Sequence, residues 1–200
     1  DFVTSGFRAV SSLFPTIDHA FEQLLSIFKA NGSGKVFNQF LDLNHSSVPV
    51  AKCIETYKYH TPDLTLSNDV RDTLSKLSNQ YPTGLLTDGD PITQKNKFAA
   101  LGLSKYIQFP IFSGDYNRSK PDEFLFNLFH QQFPKEKNFF YIGDNPKKDF
   151  FTPNKFGWTS IQILNPVGIY RDVQPIGEYC PKKTLNKFND LIEFSQTFSS

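Results

Sequence analysis

Apolar and polar residues follow two alternating patterns along the second half of the chain. Short apolar runs of five to seven residues, typical of buried strands, are separated by longer stretches with helical spacing of apolar positions. Strands that alternate with helices indicate an α/β fold, in which helices cover both faces of a parallel sheet. The predicted strands are 83–87, 109–114, 138–144 and 159–164. The predicted helices are 91–102, 120–133, 145–157 and 185–198.

Residues 1–62 follow a different pattern, with helical spacing and no strand of substance. The segments 17–30 and 48–60 are predicted helices, and the sequence NGSG at 31–34 is a predicted turn between helical segments. Residues 63–81 then lead through a further helix into the sheet region. We therefore expect two parts, a small all-helical subdomain at 1–62 and an α/β domain at 63–200.

Composition excludes several classes of protein. Of the 200 residues, 38% are hydrophobic and 20% are charged, so the chain can bury a core. The net charge of +1 argues against a nucleic-acid partner, and no apolar run is long enough to predict a membrane partner. Cys53 and Cys180 are far apart, and we expect free thiols and a cytoplasmic location. The absence of methionine suggests a processed or excised piece.

Two segments carry groups that suit a bound anion. "LLTDGD" places the Thr87 hydroxyl at a strand end, on a turn that also presents the backbone N–H groups of Asp88 and Gly89. "RSKPDEF" places Lys120 at the start of a helix. Hydroxyls and backbone amides bind phosphate oxygens, and a lysine neutralises charge that builds up in a transition state. We therefore predict a phosphate site formed by Thr87, Asp88, Gly89 and Lys120, with Thr87 and Lys120 as catalytic residues.

A third segment carries two carboxylates. "YIGDNPKKD" places Asp144 directly after a predicted strand and Asp149 five positions later. Carboxylate oxygens are suitable ligands for a hard cation such as Mg²⁺. Ligands of open parallel sheets bind beyond the carboxyl ends of the strands, where all of these groups lie. The neighbouring Lys147 and Lys148 are expected on an exposed helix face.

In this order and spacing, the three segments resemble the motifs of the haloacid dehalogenase superfamily. "LLTDG" resembles its second motif, Lys120 before Pro121 its third, and "GDNPKKD" its fourth. The helical segment 1–62 is similar to the small cap of the phosphatase-like branch. The resemblance implies a Rossmann-like core with a helical cap, and an enzyme of the hydrolase class that needs Mg²⁺. It also implies a small phosphorylated substrate, most simply a phosphomonoester, attacked through an aspartyl-phosphate.

The resemblance also implies a role for each matching residue. In the family, the positions of Thr87 and Lys120 bind the transferring phosphoryl group. The position of Asp144 ligates the Mg²⁺ ion, and that of Asp149 supports either the metal site or the lysine. Dehalogenase chemistry is less favoured, because it does not need the metal-binding acid that Asp144 supplies. The resemblance names neither the substrate nor the oligomeric state.

In the family, a D-x-D motif at the end of the first strand supplies the nucleophile through its first aspartate and the acid/base through its second, and no such motif precedes the "LLTDGD" segment here. Asp1 has no apolar strand before it and no D-x-D around it, so we do not assign the nucleophile to it. In the family, that strand lies between the strands of Thr87 and Asp144, and its absence predicts two rows of unpaired backbone groups. We therefore expect the 200-residue chain to be inactive alone.

Two alternatives to a phosphatase stay open at this point. Without its nucleophile, the chain would be a non-catalytic pseudo-phosphatase or a regulatory module that still binds phosphate or metal. A receiver-like signalling domain also combines acids, a hydroxyl and a lysine. The helical segment 1–62 and the spacing of Asp144 and Asp149 count against that second alternative.

Overall fold

The structure is a computed structural model, which describes residues 2–165, 168, 170 and 172–197. In chain order the helices are α1 (Phe2–Ser11), α2 (Ala20–Asn31), α3 (Val36–Leu43), α4 (Val50–Tyr59), α5 (Asn68–Gln80), α6 (Pro91–Ala100), α7 (Glu123–Gln132), α8 (Phe151–Lys155) and α9 (Asp190–Gln196). The strands are β1 (Gly84–Thr87), β2 (Phe109–Phe112), β3 (Phe140–Gly143), β4 (Thr159–Ile163) and β5 (Lys183–Leu185).

The chain folds as two units. One contains the helices as far as Thr65 together with Ile92–Gly102, and the other contains Leu66–Pro91 together with the chain from Leu103 onward. The border that the sequence suggests between residues 62 and 63 stays a prediction. Each unit buries its own apolar cluster.

The helical unit is built on the amphipathic faces of α1 to α4. Val10, Leu24 and Phe40 are fully buried at its centre, and the rings of Phe14 and Phe40 meet edge to face with centroids 5.0 Å apart. Such burial is the main source of stability for helices this short, which are marginal alone. The structure thus confirms the predicted helical character of this region.

The second unit contains two parallel sheets. Strand β1 pairs with β2, and β3 pairs with β4, which pairs in turn with β5. Together with the helices, these parallel strands confirm the predicted α/β class. Within the described ranges, β1 and β3 each have one strand neighbour and do not pair with each other. This interruption of strand pairing, between β1 of one sheet and β3 of the other, is where the family resemblance would place its first strand.

Helix α7 packs against both sheets. Its Phe126 and Phe129 belong to the same buried cluster as Leu86 of β1, and Phe126 also meets the Tyr141 ring of β3 at 5.3 Å. A Cβ atom at Gly84 would lie 2.3 Å from the Phe129 ring, so α7 approaches β1 too closely for any side chain there. The helix therefore holds the two sheets in one unit.

The opposite face of β3 is also covered. Successive residues of a strand point to opposite faces, so Phe140 points away from the α7 side on which Tyr141 lies. Phe140 contacts Phe194 of α9, with ring centroids 6.4 Å apart. Helices therefore cover both faces of the strands, as the alternating pattern predicts.

Three of the differences from the sequence prediction have an identifiable physical cause. Helix α7 begins at Glu123, because the Asp122 carboxylate accepts a hydrogen bond from the N–H of Phe124 and so caps the helix there. Helix α8 begins at Phe151, because residues 145–150 form turns that the Asp149 carboxylate holds. Strand β5 lies partly inside the predicted helix 185–198, and its three residues are too few to show a strand pattern.

Candidate active site

The predicted site residues lie at the carboxyl ends of β1 and β3 and in the loop before α7. Thr87 is the last residue of β1, and Asp144 follows Gly143 at the end of β3. Lys120 lies three positions before the first residue of α7. All of them belong to the α/β unit.

Lys120 and Asp149 form a nearly buried ion pair. The Lys120 Nζ lies 2.7 Å from the Asp149 Oδ1, and the two side chains are only 14% and 3% exposed. Removing one partner of such a pair leaves an uncompensated charge in a poorly solvated place, which is far costlier than losing a surface pair. The pair therefore fixes the position of the lysine ammonium at the carboxyl edge of the strands.

The Asp149 carboxylate uses both of its oxygens. Oδ1 accepts from Lys120, and the Tyr141 hydroxyl lies 3.5 Å away from the same atom. Oδ2 accepts a hydrogen bond from the backbone N–H of Asn145 at 2.9 Å. A Cβ atom at Gly143 would lie 2.5 Å from this Oδ2, so the carboxylate folds back directly over the end of β3. Asp149 thus ties the end of β3 to the Lys120 loop.

Tyr141 stays in its neutral form in this setting. Burial, followed by the negative charge of Asp149, raises the pKa of the Tyr141 phenol well above its ordinary value. A neutral phenol remains a hydrogen-bond donor, which suits its place beside a carboxylate.

Asp144 differs from Asp149 in being exposed. Partial desolvation of its carboxyl group is the first cause that raises its pKa, the charge of Asp149 adds to the effect, and Lys120 opposes it. Both causes that raise the pKa disfavour a bare negative charge on Asp144. A cation bound beside Asp144 would relieve this penalty.

The donor set fits Mg²⁺ only in part. Across the described residues, no group of three or more histidine, cysteine, aspartate or glutamate side chains is arranged to hold a metal ion. Since both oxygens of Asp149 are already engaged, Asp144 is the carboxylate that has room for a cation. One or two carboxylates with water and substrate oxygens are a common way for proteins to hold Mg²⁺.

The turn after β1 meets the Lys120 loop through Asp88. The Asp88 Oδ1 accepts the backbone N–H of Lys120 at 3.0 Å, and its Oδ2 lies 3.2 Å from the Lys148 ammonium. Gly89 follows with φ of 126°, a conformation that other residues rarely adopt. The structure therefore brings Asp88, and the turn that contains Thr87 and Gly89, to the same place as Lys120.

Sequence reasoning missed two side chains of this site. Lys148 was expected on an exposed helix face; its side chain is 45% exposed, but it lies in a turn and not in a helix, and it pairs with Asp88. Tyr141 received no role, although period-two alternation places it on the same face of β3 as Gly143, over which Asp149 folds. Local pattern gave no signal for Lys148, whose partner is 60 residues away.

Comparison with known proteins identifies the family. Residues 11–163 match the sequence model of the family described as haloacid dehalogenase-like hydrolase. The chain belongs to this family. Its fold, a parallel α/β unit with a helical unit, is also that of a solved hydrolase relative. The crystal structure is that of YfnB from Bacillus subtilis bound to magnesium. Its superposition on this chain gives a TM-score of 0.64 at 17% sequence identity, and the match covers 96% of this chain and 90% of the YfnB chain.

Two curated relatives of this member of the family are named as phosphatases. The glyceraldehyde 3-phosphate phosphatase of Pyrococcus furiosus is 27% identical over 154 residues, which are 72% of this chain. The enzyme of the same name from Methanocaldococcus jannaschii is 27% identical over 140 residues, which are 68% of this chain. The aligned part spans only 63% and 60% of these relatives. No helix in the described ranges is long and apolar enough to cross a membrane.

Proposed function

We propose that the protein containing this chain is a Mg²⁺-dependent phosphatase that hydrolyses a small phosphomonoester through an aspartyl-phosphate. The observation that carries the proposal is the buried Lys120–Asp149 pair beside the Thr87 turn, at the carboxyl edge where sheets of this type bind ligands. The two curated relatives support it, since both are named for the removal of phosphate from glyceraldehyde 3-phosphate. That compound is accordingly the first substrate to test.

In this proposal each residue acts on the phosphoryl group in a distinct way. The Lys120 ammonium, held by Asp149, offsets negative charge on the phosphoryl oxygens as the bond to the leaving alcohol breaks. The Thr87 hydroxyl and the backbone N–H groups of Asp88 and Gly89 donate hydrogen bonds to the same oxygens. The Asp88 side chain already accepts two hydrogen bonds, so its contribution to phosphate binding is limited to its backbone.

The metal has one proposed protein ligand on this chain. Asp144 would hold Mg²⁺ through a carboxylate oxygen, and Asp149 would support the site indirectly by keeping Lys120 in place. When bound, Mg²⁺ neutralises phosphate charge and orients the group for in-line attack. The deficit of protein ligands agrees with a site completed by further residues, water and substrate.

The nucleophile is the remaining part of the mechanism. We propose that it is the first aspartate of a D-x-D segment seated in the interruption between β1 and β3. A carboxylate oxygen of that residue would form a bond to phosphorus while the ester oxygen leaves with the bonding electron pair and takes a proton from the second aspartate of the same segment, which gives the free alcohol. Water would then attack the phosphorus of the acyl phosphate, releasing inorganic phosphate and restoring the carboxylate.

A non-catalytic role is the second candidate, and one observation favours it. The side chains in the described part of the chain do not form a complete metal site, and no aspartate among them is assigned as the nucleophile. A chain with only the Lys120 and Thr87 groups would bind phosphate without hydrolysing it. This would make it a regulatory module or pseudo-phosphatase.

Turnover assays separate the two candidates. The 200-residue chain and a version with an added N-terminal strand ending in D-x-D-x-T are each given Mg²⁺ with p-nitrophenyl phosphate or glyceraldehyde 3-phosphate. Activity in the extended form alone, with a phosphorylated aspartate detected by mass spectrometry, supports the phosphatase proposal. Equal metal-dependent activity in both forms would contradict the proposed source of the nucleophile. Phosphate binding without turnover in either form favours the regulatory role.

A further inference from the structure

Three loops converge on the carboxylate of Asp88. The residue itself belongs to the turn after β1 and is largely buried, with 18% of its side chain exposed. Its Oδ1 accepts the backbone N–H of Lys120 at 3.0 Å, in the loop before α7. Its Oδ2 lies 3.2 Å from the ammonium of Lys148, in the loop after β3. One carboxylate therefore connects the turn and both loops that carry the site residues.

From this geometry we propose that Asp88 and Lys148 are positioning residues for the phosphate site. Asp88 fixes the backbone of the Lys120 loop, and Lys148 neutralises Asp88 so that its carboxylate does not repel the bound phosphate. The inference rests on the proposed phosphate-binding function and adds to it two side chains that do not contact the phosphoryl group themselves.

The charges around the site explain why Asp88 needs a partner. Asp144, Asp149 and Asp88 are three acids near one anion site, and Lys120 is already paired with Asp149. An uncompensated Asp88 carboxylate would place a negative charge close to a phosphate that carries the same sign. Lys148 is the described cation in contact with Asp88, so it supplies the missing compensation.

The contact also differs from an ordinary surface ion pair. Exposed pairs contribute little because water and salt screen them, and Lys148 is indeed 45% exposed. However, the Asp88 side chain is well buried and its second oxygen is fixed by a backbone N–H. The Asp88 carboxylate is therefore held in one orientation, and the Lys148 ammonium neutralises it in that orientation.

The adjacent Lys147 offers a matched control. It has the same side chain and the same chain neighbourhood as Lys148, but it is exposed, and its one described contact is a backbone N–H that donates to Asn145 Oδ1. A general effect of positive charge near the site would be shared by both lysines. An effect that acts through Asp88 would belong to Lys148 alone.

A double-mutant cycle with inorganic phosphate as the probe tests the proposal. Binding is measured by calorimetry on the full chain and on the variants Lys148→Met, Asp88→Asn, their combination, and Lys147→Met. We expect Lys148→Met to weaken phosphate binding by about tenfold, the effect of one partly screened charge. Adding Asp88→Asn should restore most of this loss, since asparagine removes the charge and keeps an acceptor oxygen for the Lys120 N–H.

Two outcomes of this cycle would overturn the positioning role. If Lys148→Met costs as much phosphate affinity in the Asp88→Asn background as in the unaltered chain, Lys148 acts on the phosphate directly and not through Asp88. If Lys148→Met binds phosphate as well as Lys147→Met does, the pair has no part in the site. Rescue in the double variant, with little effect of Lys147→Met, supports the proposal.

A second measurement separates this inference from the proposed function. If the unaltered chain binds no phosphate, the phosphate site itself is wrong for this chain, and amide hydrogen exchange at Lys120 then decides the structural part. Asp88→Ala and Lys148→Met should both speed that exchange, because the N–H loses a fixed acceptor, and Lys147→Met should not. Unchanged exchange in Lys148→Met would show that the lysine does not hold Asp88 in place.

Discussion

The Lys120 ammonium is held by Asp149 from a segment 29 residues further along the chain, and both side chains are nearly buried. Replacing the acid by alanine leaves a buried cation without its partner, so we expect Asp149→Ala to lower the free energy of unfolding by about 3 kcal/mol. Trp158, the chain's single tryptophan, lies in the α/β unit that contains the pair, so its fluorescence during urea unfolding measures this loss of stability. The double variant Lys120→Met/Asp149→Leu should recover part of the loss. A change below about 1 kcal/mol in the single variant, the range of exposed pairs, would contradict the buried character of the pair.

Two buried serines offer a contrast in hydrogen bonding. Ser113 Oγ has no hydrogen-bond partner within the described structure, whereas Ser160 Oγ donates to Asn154 and accepts the backbone N–H of Lys182. Removing an unsatisfied hydroxyl should be neutral or stabilising by about 1 kcal/mol, and removing a satisfied one should cost about 1–3 kcal/mol. We therefore expect Ser113→Ala and Ser160→Ala to shift the unfolding midpoint in opposite directions. Equal destabilisation by both would show that the Ser113 hydroxyl has a partner in solution.

Metal binding should depend on Asp144. Its carboxylate is the site acid that is exposed and not engaged by a lysine, so the neutral variant Asp144→Asn should lose measurable Mg²⁺ affinity in calorimetry. Asp63→Asn removes an exposed carboxylate from the helical unit and serves as the control for net charge. If Asp144→Asn binds Mg²⁺ like the unaltered chain, the assignment of the metal ligand is wrong.

The two free thiols should react very differently. Cys53 is fully buried, and this burial raises the pKa of its thiol, whereas Cys180 is exposed. A raised pKa leaves less thiolate at a given pH, and the thiolate is the reactive form. Iodoacetamide at pH 8 should therefore alkylate Cys180 and leave Cys53 unmodified, as mass spectrometry of the digested chain can verify. Both should react in denaturant, and rapid labelling of Cys53 in the folded chain would contradict its burial.

Local pattern predicted most of the fold because the strands are short apolar runs and the helices are amphipathic. It placed β1, β2, β3 and β4 correctly, since each lies inside its predicted range. It missed β5, because three residues at a sheet edge carry no periodic signal. The predicted start of α7 at residue 120 was also too early, because the helix begins after its cap at Asp122, and that cap depends on the direction of a single side chain.

The site was partly predictable for a similar reason. Spacing relative to strand ends identified Lys120 and Asp149 as candidate site residues. Their mutual contact, and the pairing of Lys148 with Asp88, depend on how distant loops approach one another in three dimensions. No residue type or spacing distinguishes Lys148 from Lys147, so only the fold separates a site lysine from a surface one.

The interruption between β1 and β3 also affects the handling of the chain. Each of these strands lacks a second strand partner in the described structure, and Ile142 of β3 is 38% exposed, which is unusual for a parallel strand. Unprotected strand edges of this kind recruit extended segments of other molecules and are a common origin of aggregation. A preparation of the isolated chain is therefore expected to aggregate more readily than one in which a further strand pairs with these edges.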